Sequence, residues 1–169
     1  MIHINAESIN KDFGVLRLDV NFNNGAFKSV FGFFVDENTI ITSSTITDLA
    51  FPLDINVKTK DNSTDLIICI AKARLLASDK NLAMLKITNY TDDYCNFSNK
   101  KLYHQEIIQS QKIHLSHTKA PKINNKIIEQ GMPYFDKNHH LIGISSKNKI
   151  IKTDEIMSFI DMVRSKNIE

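Results

Sequence analysis

The chain has 169 residues, and 42% of them are apolar, which is enough to bury the core of one domain of ordinary size. Its 21 basic and 19 acidic side chains leave a net charge of +2, which is too small and too evenly spread to favour nucleic acid or an anionic membrane as a partner. Because no run of about 18 apolar residues is present, we expect no membrane insertion.

The N-terminal half is predicted to form strands. Residues 13–22 alternate apolar and polar side chains, as a strand with one solvated face does, and residues 23–25 (NNG) favour a hairpin turn. The hydroxyl-rich residues 43–47 favour a turn or the start of a helix. Apolar or alternating segments predict five more strands, at residues 27–35, 39–42, 54–59, 66–77 and 82–87. Strands at this regular spacing predict an antiparallel barrel or sandwich.

The C-terminal half gives weaker strand signals until residue 127. Gly131 and Pro133 predict a tight entry into a strand, and Gly143 predicts a bulge or a close approach of another backbone inside the strand that follows. Strands are predicted at residues 106–108, 112–115, 134–135 and 141–144, with a polar turn at residues 136–140.

Residues 153–166 predict one amphipathic helix at the end of the chain. Thr153 is a candidate N-cap, and Asp154 and Glu155 suit the positive end of the helix dipole in the first turn. The apolar side chains fall on one helical face, at Ile156, Phe159, Ile160 and Val163.

The cysteines and histidines give no strong signal. Cys69 and Cys95 could pair or stay reduced, and we expect two unpaired thiols, with Cys69 buried in a strand. We expect neither a metal nor a cofactor, because a metal site needs a third and a fourth ligand beyond the two histidine pairs, His114/His117 and His139/His140.

Three segments stand out by their order and spacing: residues 32–46, GFFVDENTIITSSTI; residues 73–86, ARLLASDKNLAMLK; and residues 130–144, QGMPYFDKNHHLIGI. Together they resemble the trypsin-like (chymotrypsin-fold) serine proteases, and within that family they are most similar to the HtrA-like branch, without its PDZ domain. The first resembles a strand followed by I-L-T-x-x-H-V, whose histidine is the general base. The second resembles D-x-A-x-L-K, whose aspartate orients that histidine, and the third resembles S-G-G-P-L-F, a turn and V-I-G-I, which begins with the nucleophilic serine.

The resemblance implies an all-β fold with two barrels and a C-terminal helix. Residues 1–90 would form the first barrel, residues 91–152 an abbreviated second barrel, and residues 153–166 the helix. Residues 1–5 have neither a basic nor an apolar leader region, so we expect no signal peptide in this chain. The compartment is open, and would be periplasmic or otherwise extracytoplasmic if the chain is a trimmed form.

The resemblance also places the catalytic triad on Thr45, Asn81 and Gln130. A threonine hydroxyl is no general base near neutral pH, a neutral asparagine cannot stabilise an imidazolium, and a glutamine amide is not a nucleophile. Ile128 replaces the glycine of the oxyanion hole, where its β-branch disfavours the required backbone conformation. We therefore expect an inactive serine protease homologue, or pseudoprotease, that binds a protein or peptide partner as a scaffolding module, with the oligomeric state open.

An alternative is an active serine hydrolase with a rearranged Ser/His site. Its candidate residues are Ser43, Ser44, Ser110, Ser116, His114 and His117. We expect these to be polar residues of turns and strand edges instead, so the pseudoprotease interpretation is preferred.

Overall fold

Six strands close into an antiparallel barrel. The computed structural model describes residues 15–60, 67–89, 114–115, 129–138 and 140–166. Within them the barrel strands are β1 (Leu16–Phe22), β2 (Phe27–Asp36), β3 (Thr39–Ser43), β4 (Pro52–Lys60), β5 (Ile67–Ser78) and β6 (Leu82–Asn89). Their order around the barrel is β1-β2-β3-β6-β5-β4, and β4 pairs with β1 to close it. This confirms the barrel strands that the sequence predicts.

The barrel interior forms because alternate side chains of these strands point inward. Fully buried apolar side chains from all six strands meet there, including Leu18, Val30, Ile40, Val57, Ala71 and Leu85. A short 3-10 helix, Ser44–Thr47, follows β3, and its Ile46 belongs to the same core. The hydroxyl-rich segment thus forms the helical turn expected of it, with Ser43 as its N-cap.

The second unit is a sheet built around one central strand. It contains β7 (His114–Leu115), β8 (Pro133–Phe135), β9 (His140–Ser146) and β10 (Lys149–Lys152). Strands β8 and β10 pair antiparallel with β9, and β7 pairs parallel with it. Much of residues 91–152 lies outside the described residues, and so does the strand predicted at residues 106–108, so the closure of a second barrel stays a prediction.

The hairpin between β9 and β10 was not predicted. Its two-residue turn consists of Lys147 and Asn148, whose φ angles of 52° and 66° are both positive. Such a turn matches the twist of paired strands, but it usually contains a glycine, and this one does not. Gly143 in β9 does meet a neighbouring backbone closely, since a Cβ there would lie 2.5 Å from the carbonyl oxygen of Ile151.

The helix α1 (Thr153–Lys166) packs its predicted apolar face into a second core. The four residues of that face are all buried. They join Phe33, Ile41 and Met84 from the barrel and Leu141 and Ile144 from β9. The second core therefore lies between the barrel wall, the β9 sheet and the helix, and it fixes how the barrel meets the sheet.

Cys69 is disulfide-bonded, and its residue is half-buried, so the expectation of a buried unpaired thiol is wrong. The other cysteine of the chain, Cys95, lies outside the described residues. No helix in the described part of the chain has the length and apolar character needed to cross a membrane.

Candidate functional site

The three residues at the triad positions come from three different elements. Thr45 lies in the 3-10 helix after β3, Asn81 immediately precedes β6, and Gln130 lies in the turn before β8. Antiparallel pairing of β3 with β6 sets Ser43 opposite Leu82, which brings the first two elements together. Gln130 joins them across the junction of the barrel and the sheet, through a hydrogen bond from Ser43.

Ser43 is the centre of the hydrogen-bond network that links these residues. Its Oγ accepts hydrogen bonds from the backbone N of Thr45 at 3.2 Å and from the Thr45 Oγ1 at 3.0 Å. The same Oγ lies 3.2 Å from the Gln130 Oε1 and 2.8 Å from the Ser146 Oγ. The Ser146 hydroxyl donates its own proton to the Asn81 carbonyl at 2.7 Å, so it can only accept from Ser43. The single Ser43 hydroxyl proton is therefore shared between the Ser146 Oγ and the Gln130 Oε1.

Gln130 is held by its side chain and its backbone. Its Oε1 accepts a second hydrogen bond, from the backbone N of Lys147 in the β9–β10 turn, at 2.9 Å. Its carbonyl accepts from the backbone N of Phe31 in β2 at 2.8 Å. The amide at the nucleophile position therefore joins the barrel to the β9–β10 hairpin.

Gly131 allows Gln130 to approach the barrel this closely. Its φ angle is +79°, a conformation that residues with a Cβ rarely adopt. A Cβ at this position would overlap the Phe31 carbonyl oxygen and lie 2.7 Å from the Thr42 Oγ1. The positive φ and the contact with β2 both require glycine here.

Asn81 is directed towards the C-terminal helix. Its Nδ2 donates to the Glu155 Oε2 in the first turn of α1 at 2.7 Å. Its backbone N donates to the Asp79 Oδ1 at 2.8 Å, and its carbonyl accepts from the backbone N of Ser44 at 3.0 Å. The residue at the acid position thus anchors the helix and the 3-10 segment.

The remaining residues of the third motif are engaged with β9. Met132 and Ser145 form two hydrogen bonds. The backbone N of Met132 donates to the Ser145 Oγ at 3.0 Å, and the backbone N of Ser145 donates to the Met132 carbonyl at 3.0 Å. The Ser145 hydroxyl also donates to the Glu129 carbonyl. Ile128, the residue at the oxyanion position, lies outside the described residues.

The candidates for a rearranged Ser/His site do not present an exposed nucleophile where the structure describes them. The candidates Ser43 and Ser44 are at most 3% exposed, and two further serines near the site, Ser145 and Ser146, are fully buried. The hydroxyl of Ser44 donates to the Lys80 carbonyl at 2.9 Å. The other candidates, Ser110, Ser116 and His117, lie outside the described residues, as does His139, and His114 is placed in β7 by its backbone.

Besides the Glu155 carboxylate, two ammonium groups donate to backbone carbonyls next to this network, and Tyr134 lies in β8, which follows Gln130. The Lys28 Nζ lies 3.4 Å from the Thr45 carbonyl oxygen, and the Lys147 Nζ lies 2.5 Å from the Lys80 carbonyl oxygen. Burial, together with the charge of Glu129, raises the pKa of the Tyr134 phenol above its usual range. Tyr134 therefore stays protonated at neutral pH and is no general base.

Sequence reasoning missed three residues of the site. Glu155 was assigned only to the first turn of a helix, Ser146 was given no role, and Lys147 lies in a turn that lacks the usual glycine signal. Their roles arise from contacts across 74, 103 and 17 sequence positions with Asn81, Ser43 and Gln130. Local sequence patterns do not report contacts of this kind.

Solved structures with a similar fold include a bacterial protease in two forms. The Rv3671c protease of M. tuberculosis in its active form superposes with a TM-score of 0.56 at 8% identity, over 90% of this chain and 82% of that one. Its inactive form gives 0.51 at 10% identity, over 90% of each chain. Deg5 gives 0.51 at 15% identity, over 87% of each. No family model matches the sequence, and no curated protein matches it. The chain therefore has the trypsin-like, HtrA-type serine protease fold.

Proposed function

We propose that the chain is a pseudoprotease: a trypsin-like fold without protease activity that acts as a protein- or peptide-binding, scaffolding module. The observation that carries the proposal is the network around Ser43. The residues at all three triad positions, Thr45, Asn81 and Gln130, take part in it as hydrogen-bonded structural groups.

The loss of activity is argued from side-chain chemistry. Thr45 is 5% exposed, and its hydroxyl donates a hydrogen bond to Ser43. A threonine hydroxyl is not basic near neutral pH and cannot act as the general base. The Gln130 amide oxygen is already bonded to Ser43 and to the Lys147 N, and an amide does not attack a carbonyl. Loss of one triad member lowers the rate by about 10⁴ or more, and here all three are replaced.

The binding role is proposed because a protein of this fold can bind a partner without catalytic side chains. A rigid barrel and sheet, joined by a buried core and a buried hydrogen-bond network, is a stable platform for a partner. By analogy with other proteins of this fold, which accommodate extended peptides partly by strand addition, an exposed strand edge could receive the partner. Gln130 and the turn of Lys147 now occupy the old centre, so binding need not use the old cleft.

Activity is tested with denatured casein and a serine-directed fluorophosphonate probe. We expect neither cleavage nor labelling, because the serines described at the site are buried. Trypsin is the positive control for both assays. Labelling or cleavage that is abolished by Ser43→Ala, Ser44→Ala or another single serine substitution would establish the rearranged hydrolase and overturn the pseudoprotease proposal.

The binding role is tested by affinity capture from the source organism, followed by cross-linking and size-exclusion chromatography with light scattering. We expect a partner at a fixed stoichiometry, or a defined self-association. A protein that stays monomeric and captures nothing above the level of an unrelated β-barrel control would contradict the scaffolding role, whatever the activity assay shows.

A further inference from the structure

Three exposed apolar side chains lie between the 3-10 helix and the start of β4, two of them in the connecting loop and the third, Leu53, in the first residues of the strand. Leu49, Phe51 and Leu53 are 50%, 59% and 70% exposed. The loop is fastened to the β1–β2 turn, because the Asn23 N donates to the Phe51 carbonyl at 3.0 Å and the Asn24 Nδ2 donates to the Leu49 carbonyl at 3.2 Å. Large apolar side chains held together in water in this way are typical of a surface that is covered by a partner.

Three lysines lie along the same 3-10 helix. The Lys147 Nζ and the Ser44 Oγ both donate to the carbonyl of Lys80, at 2.5 Å and 2.9 Å, so these residues border the start of the helix. On the other side, the Lys28 Nζ donates to the Thr45 carbonyl at 3.4 Å. That carbonyl also accepts from the backbone N of residue 48, one position before the apolar loop. Lys28 therefore lies at the end of the helix that leads into the loop, and Lys80 and Lys147 lie at the start of the same four-residue helix.

These lysines differ from other basic residues of the barrel in their partners. Lys58 and Lys72 form ion pairs with Asp19 and Asp54, at 2.7 Å and 3.0 Å. Among the residues that the structure describes, no carboxylate forms an ion pair with the lysines at positions 28, 80 and 147. The ammonium groups of Lys28 and Lys147 donate to backbone carbonyls, so no carboxylate of the described chain balances their charge, and they can attract carboxylates of another molecule.

We infer that this basic–apolar face, formed by Lys28, Lys80, Lys147, Leu49, Phe51 and Leu53, docks a protein segment that carries acidic side chains beside apolar ones. The inference rests on the proposed binding function and names the chemistry of its partner. Acidic side chains would pair with the lysines and orient the segment, and its apolar side chains would cover the loop.

An anionic membrane fits the same face less well. Asp48 is exposed between the 3-10 helix and Leu49, and a uniformly negative lipid surface would repel its carboxylate. A peptide carries separate charges at particular positions along its sequence, so a polar or basic side chain can lie opposite Asp48. The net charge of +2 is also small for a protein that is held to lipid by electrostatics.

The test is selection of binders from a library of random short peptides displayed on phage. We expect enrichment of peptides that combine Asp or Glu with Leu, Ile or Phe. For the best peptide, the double substitution Lys80→Glu with Lys147→Glu should raise the Kd by about tenfold. Added salt should also raise the Kd of the native protein, because it screens the charge pairs. The double substitution Phe51→Ser with Leu53→Ser should also raise the Kd. Because this change removes apolar contacts, the size of the increase should depend little on the salt concentration.

The matched control is Lys137→Glu with Lys166→Glu, which changes the net charge equally at exposed lysines outside this face. It should leave the Kd within about twofold. Enrichment of peptides without acidic residues, no enrichment, equal effects of the two lysine pairs, or binding of phosphatidylserine vesicles without binding of peptide would each overturn the inference.

The same variants separate this inference from the proposed function. If affinity capture yields a stoichiometric partner and the Lys80→Glu, Lys147→Glu protein captures it equally well, the chain is a binding module that uses another surface. If capture yields nothing, the binding role itself fails.

Discussion

At the scale of single residues, the hydrogen bond between Asn81 and Glu155 disfavours a charged acid at position 81. The amide donates to a carboxylate of the helix at 2.7 Å, an arrangement that a second carboxylate could not reproduce while both groups are charged. The Asn81 residue is buried, whereas Glu155 is exposed. Restoring an acid at this position would therefore set two negative charges against each other.

We predict that Asn81→Asp lowers the free energy of unfolding at pH 7 by about 1–2 kcal/mol. The introduced carboxyl would have a raised pKa in the folded state, so the loss should shrink as the pH falls and the group binds a proton. Urea unfolding at pH 7 and pH 5 measures this. Adding Glu155→Gln should restore stability, and Asn81→Ala, which removes the hydrogen bond without adding a charge, should show no comparable pH dependence. Equal losses at both pH values would contradict the prediction.

At the scale of elements, the turn before β8 depends on one glycine. Gly131 combines a φ of +79° with a contact to the Phe31 carbonyl that excludes a Cβ. Gly25 has a similar φ of +85°, but nothing lies within 4 Å of where its Cβ would be. The two positions therefore separate backbone strain from steric overlap.

We predict that Gly131→Ala lowers the unfolding free energy by about 3 kcal/mol or more, and that Gly25→Ala lowers it by about 1 kcal/mol. The larger effect arises because the β8 turn must move away from β2 as well as adopt a strained φ. Chemical denaturation of both variants gives the comparison. Where the first variant is too unstable to purify, the fraction of soluble folded protein ranks the two, and similar behaviour of the two would refute the steric argument.

On the barrel surface, strands β1, β2 and β4 share a buried carboxylate. Asp19 is 4% exposed and accepts hydrogen bonds from Arg17 at 2.9 Å and from Ser29 at 2.7 Å, and the Lys58 Nζ lies 2.7 Å from it. Burial acts to raise the pKa of Asp19, but the hydrogen bonds from Arg17, Lys58 and Ser29 outweigh burial and lower that pKa to about 2.

We predict that this carboxylate stabilises the barrel above pH 4. Its pKa is lower when folded than when unfolded, so its contribution is complete above the ordinary value of 3.8 and is lost as the pH falls towards about 2. Thermal unfolding between pH 2 and pH 6 should show this loss in the native protein and a smaller one in Asp19→Asn. A matched control is Asp161→Asn on the exposed face of the helix. Parallel pH curves for the native and Asp19→Asn proteins would exclude the role.

At the scale of the whole molecule, the site now joins the two halves. Ser43 belongs to the barrel, while Gln130 and Ser146 belong to the turn and strand of the second unit. The second core, shared by the barrel, β9 and α1, lies beside this network. We infer that the halves unfold together.

We predict that Ser43→Ala lowers the unfolding free energy by about 2 kcal/mol, because several buried polar groups lose a partner at once. Ser165→Ala is the matched control, since its exposed hydroxyl bonds only to the Met162 carbonyl in the same helix, and its effect should stay within about 0.5 kcal/mol. Calorimetry measures both, and we expect one transition in the native protein. Two separate transitions, or equal effects of the two substitutions, would count against a structural junction here.

The sequence by itself determined the barrel strands and the C-terminal helix, and it fixed the side-chain chemistry at the three positions that the resemblance predicts for a triad. Strand alternation and the helical face of Ile156, Phe159 and Val163 are local patterns, and the buried side chains follow them. That Thr45, Asn81 and Gln130 are not an acid, a base and a nucleophile follows from their side chains alone.

Only the tertiary structure decided what those residues do. Ser43 and Gln130 are 87 positions apart, and Asn81 and Glu155 are 74 apart, so no local pattern reports their hydrogen bonds. The β9–β10 turn was also not predicted, because it lacks the glycine that usually marks such turns; Asn148 tolerates a positive φ, but Lys147 adopts one only because the two strands pair. The physical reason is general: periodicity depends on neighbours in the chain, whereas the partner of a buried polar group is set by how distant elements pack.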